Sequence, residues 1–110
     1  MGTLDTMNTA SQEPDRATID ATRGPLVLEF GTAWCGHCRA AQPSIQAALA
    51  QHPGLPHHKV EDGKGRPLGR SFGVKLWPTL VFLRDGVEQA RLVRPDAAAV
   101  QRAFDALAAG

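Results

Sequence analysis

The sequence holds only two cysteines, Cys35 and Cys38. That is too few for the disulfide framework that staples a small secreted domain, and a lone Cys-x-x-Cys in a reducing compartment points to catalysis or metal binding instead. Charge of one sign is lacking too. Twelve Lys and Arg stand against eleven Asp and Glu, a formal net charge of +1, and no dense basic run could follow a phosphate backbone. Nucleic acid is therefore not an expected partner. No stretch comes near the roughly eighteen consecutive apolar residues of a membrane span. Met1 to Glu13 carries neither a positively charged start nor an apolar segment of the secretory kind. The expectation is a cytoplasmic protein without a membrane partner.

What is present suits one globular domain. A chain of 110 residues with 43% hydrophobic and 21% charged residues can bury a core without a metal or a disulfide to hold it together. Residues 1 to 14 are rich in Thr, Asn, Asp, Ser and Gln without an apolar period, and read as a mobile tail ahead of a domain over residues 15 to 110. Within that tail Gly2 and Thr6 fit the loose N-myristoylation pattern, which so few fixed positions make common by chance.

From Pro14 to Thr22 the weak alternation of Ala17, Ile19 and Ala21 fits a short helix or an edge strand equally. Leu26 to Phe30, between Gly24-Pro25 and Gly31, has the branched and aromatic residues of a strand buried on both faces, with Glu29 as its one charge. From Cys35 to Gln51, Ala41, Ile45, Ala48 and Leu49 recur at helical spacing, so a helix begins at the cysteines. Pro43 stands inside it, where a kink is expected rather than a break. His57 to Val60 suits a second parallel strand. Pro67 suits the start of a short helix, with Leu68, Ser71 and Phe72 inward and Gly73 closing it. Thr79 to Leu83, then Asp85-Gly86, then Val87 to Val93 reads as a hairpin. A last helix follows, capped by Asp96 and buried along Val100, Phe104 and Leu107. This order implies an α/β fold, a mixed sheet with helices on both faces, and places the cysteines at the carboxyl end of a parallel strand, where open sheets hold their chemistry.

A Cys-x-x-Cys at a helix start brings two sulfurs together across one turn and gives the first the unpaired N–H groups and positive dipole end of the helix. Both favour a thiolate. A free thiol with a pKa of about 8.5 is only ~3% ionised at pH 7, so lowering it raises the supply of nucleophile directly. Cys35 is the expected nucleophile and Cys38 the expected resolving thiol, with His37 between them able to add positive charge beside the thiolate.

These residues resemble a known family, the thioredoxins. Trp34-Cys35-Gly36-His37-Cys38 is similar to their Trp-Cys-Gly-Pro-Cys centre, Pro43 to the proline that kinks the next helix, Trp77-Pro78-Thr79 to their cis-proline loop, and Asp85-Gly86 to their terminal hairpin. The likeness runs from about residue 18 to 109 with the motifs in order. It implies a thioredoxin fold, a central mixed sheet of about four or five strands, and the activity of a protein-disulfide oxidoreductase. The implied partners are disulfide-containing proteins and an upstream redox partner such as thioredoxin reductase or glutathione. It also implies a monomer that needs no cofactor beyond its own Cys35–Cys38 disulfide. Trp34, Gly36 and His37 would form the active-site loop, and Trp77, Pro78 and Thr79 the substrate-binding loop, with Pro78 cis and facing the disulfide. Glu29 occupies the position of the family's buried aspartate and Lys59 that of its partner lysine. Burial is expected to raise the Glu29 pKa towards neutrality, so that it accepts the proton of Cys38.

The departures bear on direction. His37 gives the Cys-Gly-His-Cys of protein disulfide isomerases, whose centres oxidise or isomerise more readily, and Trp77 places a bulky ring just before Pro78, where it could restrict or stack on substrates. Two other readings compete. One is a metal site drawing on Cys35, His37, Cys38, His52, His57 and His58, although structural zinc wants four ligands and only one cysteine pair exists, and Arg39 does not complete a Cys-x-x-Cys-His haem site. The other is a binding module of the same fold with incidental cysteines. His57 and His58 read as solvated strand-end residues, Arg66, Arg70 and Lys75 as a solvated face, and Trp34 as a shield over the cysteines.

Overall fold

The computed structural model describes residues 13–110. The myristoylation pattern at Gly2, and the expected tail as far as residue 12, lie outside the described residues. At the end of that stretch Glu13 is already tied down, its carboxylate accepting from Arg66 at 3.0 Å.

The ambiguous segment after Pro14 is a helix, α1 (Arg16–Ala21). Asp15 caps it by accepting from the Thr18 N–H at 2.8 Å, and Ile19 alone of its residues is buried. The remaining elements are β1 (Pro25–Gly31), α2 (Gly36–Gln51), β2 (His57–Glu61), α3 (Pro67–Ser71), β3 (Thr79–Arg84), β4 (Val87–Val93) and α4 (Ala97–Ala109). They build a four-stranded sheet in the order β2-β1-β3-β4. β1 runs parallel to β2 and antiparallel to β3, and β3 is antiparallel to β4.

Apart from Glu29 and Thr79, the buried residues of the two central strands are apolar on both faces because helices cover both. Leu26, Leu28 and Phe30 of β1 and Val81 and Leu83 of β3 pack with Ile19 of α1 and with Leu68 and Phe72 around α3. On the other face Val27, Leu80 and Phe82 meet Ile45 and Ala48 of α2 and Val100, Phe104 and Leu107 of α4. Each such side chain contributes roughly 1.5–3 kcal/mol when fully buried, so the ends of β1 and β3, from which the cysteines and Pro78 follow or precede, rest on the firmest part of the molecule.

Pro43 does not interrupt α2, which runs unbroken to Gln51. In α3 Leu68 and Gly69 turn inward, but Ser71 is exposed rather than inward, its hydroxyl donating to the Leu68 carbonyl at 2.6 Å. The β3–β4 turn puts Asp85 and Gly86 at positive φ, 52° and 79°, as a two-residue hairpin turn of this hand requires.

Candidate active site

β1 ends at Gly31, and the chain turns through Thr32 to Trp34 before α2 begins. Cys35 is the N-cap of that helix, and its Sγ accepts from the Cys38 N–H at 3.2 Å. Both thiols are free and both are buried, Cys35 7% and Cys38 5% exposed. Gly31 makes this packing possible, since a Cβ there would come within 2.6 Å of Cys38 Sγ.

Their environments pull the two thiols apart. Burial pushes the Cys35 thiol up, but hydrogen bonds from the Cys38 thiol and from the backbone N–H groups of Cys38 and His37, with the charge of Arg94, bring it below its ordinary value. Cys38 is pushed up to about 11, first by burial, then by its hydrogen bond to Cys35 and the negative charges of Cys35 and Glu29. Of the two thiols, Cys35 is therefore the one that loses its proton first. His37 enters through its backbone; the positive side chain that acts on Cys35 is that of Arg94, which the sequence did not single out.

Across from the cysteine turn, the Trp77–Pro78 peptide bond is cis. The Trp34 and Trp77 rings meet edge to face with centroids 5.6 Å apart, which ties the two loops together. Trp34 itself is 70% exposed. The Trp77 indole donates to Asp62 Oδ2 at 2.8 Å. Arg94 takes the other side of that loop, its Nε donating to the Trp77 carbonyl at 2.8 Å and its backbone N–H to the Pro78 carbonyl at 2.9 Å. Arg94 does so at φ 48°, a region uncommon outside glycine. Thr79, expected in the substrate-binding loop, turns its hydroxyl inward to the Leu76 carbonyl at 2.6 Å and is 1% exposed, so its side chain is not offered to a ligand.

Glu29 is buried at 2% exposure, and two donors hold its carboxylate. Gln42 Nε2 lies 2.7 Å from Oε2, and His57 Nε2 lies 2.9 Å from Oε1. Lys59 does not pair with it; its Nζ donates to Gln42 Oε1 at 3.2 Å. The expected rise of the Glu29 pKa is corrected as well. Burial does push it up, but the hydrogen bonds from His57 and Gln42 and the charges of His57 and Lys59 outweigh burial and leave it below the ordinary carboxylate value. His57, read from the sequence as a solvated strand end, is instead part of the site.

Among the described residues no group of three or more His, Cys, Asp and Glu could hold a metal ion, which leaves the zinc reading without a cage. His52 is engaged elsewhere, with Nε2 2.8 Å from Asp105 Oδ1.

The thioredoxin family model matches residues 6–105 of the chain. The chain belongs to the thioredoxin family. Its fold is similar to thioredoxin 2 from Pseudomonas aeruginosa PAO1 in its reduced form, with a TM-score of 0.78 and 57% identity over 87% of this chain and 90% of that one. In sequence it is 42% identical over 65 residues to protein disulfide-isomerase A2 of Pongo abelii, covering 56% of this chain and 12% of that protein. It is 31% identical over 77 residues to the TPR repeat-containing thioredoxin TDX of Arabidopsis thaliana, covering 70% of this chain and 20% of that protein. The chain thus spans a small part of these two curated relatives, and 53% of thioredoxin-1 of Caenorhabditis elegans. With its mixed sheet and flanking helices it has the thioredoxin fold.

Proposed function

We propose that the chain is a thiol-disulfide oxidoreductase that exchanges dithiol and disulfide with protein substrates through Cys35 and Cys38. The observation that carries this is the asymmetry of the pair, a lowered thiol at the helix cap beside one raised to about 11. The Cys35 thiolate attacks one sulfur of a substrate disulfide and forms a mixed disulfide. Cys38 then loses its proton, attacks Cys35 Sγ and releases the substrate as a dithiol. Trp34, Gly36 and His37 frame the nucleophile, while Trp77 and Pro78 form the opposite wall against which an extended substrate segment lies. Glu29 is the base behind Cys38. Lys59 acts at one remove, through Gln42.

The exchange calls for no cofactor besides the Cys35–Cys38 disulfide itself. Its partners are disulfide-containing proteins and an upstream donor of the thioredoxin reductase or glutathione kind, and its setting is the cytoplasm, as a monomer. Among the described residues no helix is long and apolar enough to cross a membrane. Reduction of insulin by dithiothreitol tests the reading. The chain accelerates it, and Cys35→Ser abolishes the acceleration; an unchanged rate in Cys35→Ser refutes the exchange and favours a binding module. Cys-Gly-His-Cys at positions 35 to 38 favours a second direction of flow, oxidation or isomerisation. A reduction potential measured against glutathione separates the two, a value well below the cytosolic poise marking a reductant.

A further inference from the structure

Behind the cysteines the hydrogen bonding departs from what the strand register alone would give. In the β1–β2 pairing Lys59 stands opposite Glu29, and His57 opposite Val27. His57 and Lys59 share one face of β2, since alternate strand residues point the same way. The carboxylate bonds to the imidazole, not to the ammonium directly opposite. The Glu29 side chain is 2% exposed and that of His57 16%, so the imidazole is the member of the pair that meets water.

We infer that His57 is a positioning residue for the resolving step: it orients the Glu29 carboxylate and carries the proton released by Cys38 onward from that carboxylate to solvent. This rests on the dithiol exchange proposed above. In the step, Cys38 Sγ–H gives its proton to Glu29 and the sulfur attacks Cys35 Sγ. The bond between Cys35 and the substrate sulfur breaks, and that sulfur leaves with the electron pair and takes a proton from water. The substrate disulfide is thereby reduced to two thiols, Cys35 and Cys38 are oxidised to one disulfide, and the Cys38 proton returns to solvent by way of His57.

Glu29 cannot do this alone. Donors on both of its oxygens favour the ionised form, and its burial gives it no water to which it could pass a proton. An imidazole ordinarily gains and loses protons between about pH 5 and 8, and its two nitrogens allow one to face the carboxylate while the other exchanges. Gln42 supplies the link to the cysteines, because its Nε2 donates both to Glu29 Oε2 at 2.7 Å and to the Cys38 carbonyl at 3.2 Å. Among the described residues, the charged and titratable groups that interact with the pair are Lys59 from β2 and Cys38 from the start of α2. From β3 the residues on this face are Leu80 and Phe82, both apolar.

Stopped-flow measurements on the reduced full chain mixed with a peptide disulfide, from about pH 5 to 9, separate attack by Cys35 from resolution by Cys38. His57→Gln keeps an N–H donor for Glu29 but cannot titrate. It is expected to slow resolution about tenfold at neutral pH and to remove the inflection in that range, while attack changes less than about twofold. His58→Gln, on the opposite face of β2, is expected to follow the wild type in both steps. A wild-type pH profile for resolution in His57→Gln, or an equal loss in both steps, overturns the role. A wild-type chain that fails to reduce the peptide at all overturns the exchange itself.

Discussion

Burial raises both thiols, but around Cys35 the site adds donors and positive charge at its mouth, the Cys38 and His37 backbone N–H groups and Arg94, whereas around Cys38 it adds the negative charges of Cys35 and the buried Glu29 carboxylate. The two sulfurs lie within one helical turn and are almost equally buried, so exposure does not distinguish them. What distinguishes them is the sign of what each faces. The outer side stabilises an anion and the inner side resists one, which orders the two chemical steps before any substrate arrives.

That contrast breaks most completely when the inner sulfur is removed. Cys38→Ser should leave attack by Cys35 intact and abolish release, so that the mixed disulfide accumulates and is seen as a covalent adduct by mass spectrometry; turnover at the wild-type rate would contradict the division of labour. Gly31→Ala strikes at the packing between the two sides. A Cβ 2.6 Å from Cys38 Sγ forces the sulfur or the strand to move, with a stability loss of about 1–3 kcal/mol in urea unfolding and slower resolution than attack.

His57→Ala sharpens the inner side. Removing one donor from the buried carboxylate is expected to cost about 1–3 kcal/mol at neutral pH. Because the Glu29 pKa is depressed on folding, its contribution is present above the ordinary value of 4.5 and is lost as pH falls through the lowered one. The stability gap between wild type and His57→Ala should therefore close on acidification, which denaturant titrations at a series of pH values will read. Arg94→Gln tests the outer side and should have the smallest effect. Losing one exposed charge should slow alkylation of Cys35 by iodoacetamide about two- to threefold at neutral pH and leave Cys38 untouched.

The frame of this molecule was legible because its signals are local. The apolar stripe of Val100, Phe104 and Leu107, the Asp85-Gly86 turn and the cysteine pair before a helical period each declare an element within a few residues. α1 was ambiguous because it buries only Ile19, though Asp15 three places before Thr18 was a readable cap. The inner side of the site was half legible. The family resemblance named Glu29 and Lys59 as partners, and in the strand register they stand opposite each other, but that register does not decide which of two side chains on one face reaches a carboxylate. His57 was legible only as lying on the same face as Lys59, and Gln42 as standing one turn after Cys38 on α2. Arg94 gave no local signal at all, because its place beside Trp77 and Pro78 is set by the end of a strand far along the chain.

One atom joins the chemistry to the architecture. The sulfur that attacks is also the cap of α2, accepting the N–H of Cys38, so covalent attachment of a substrate engages the atom that finishes a helix. Folding and redox state are then coupled quantities. Whatever the reduced cap contributes to holding the first turn of α2 also belongs to the free energy of reduction, and the helix start senses the electrons that Cys35 holds.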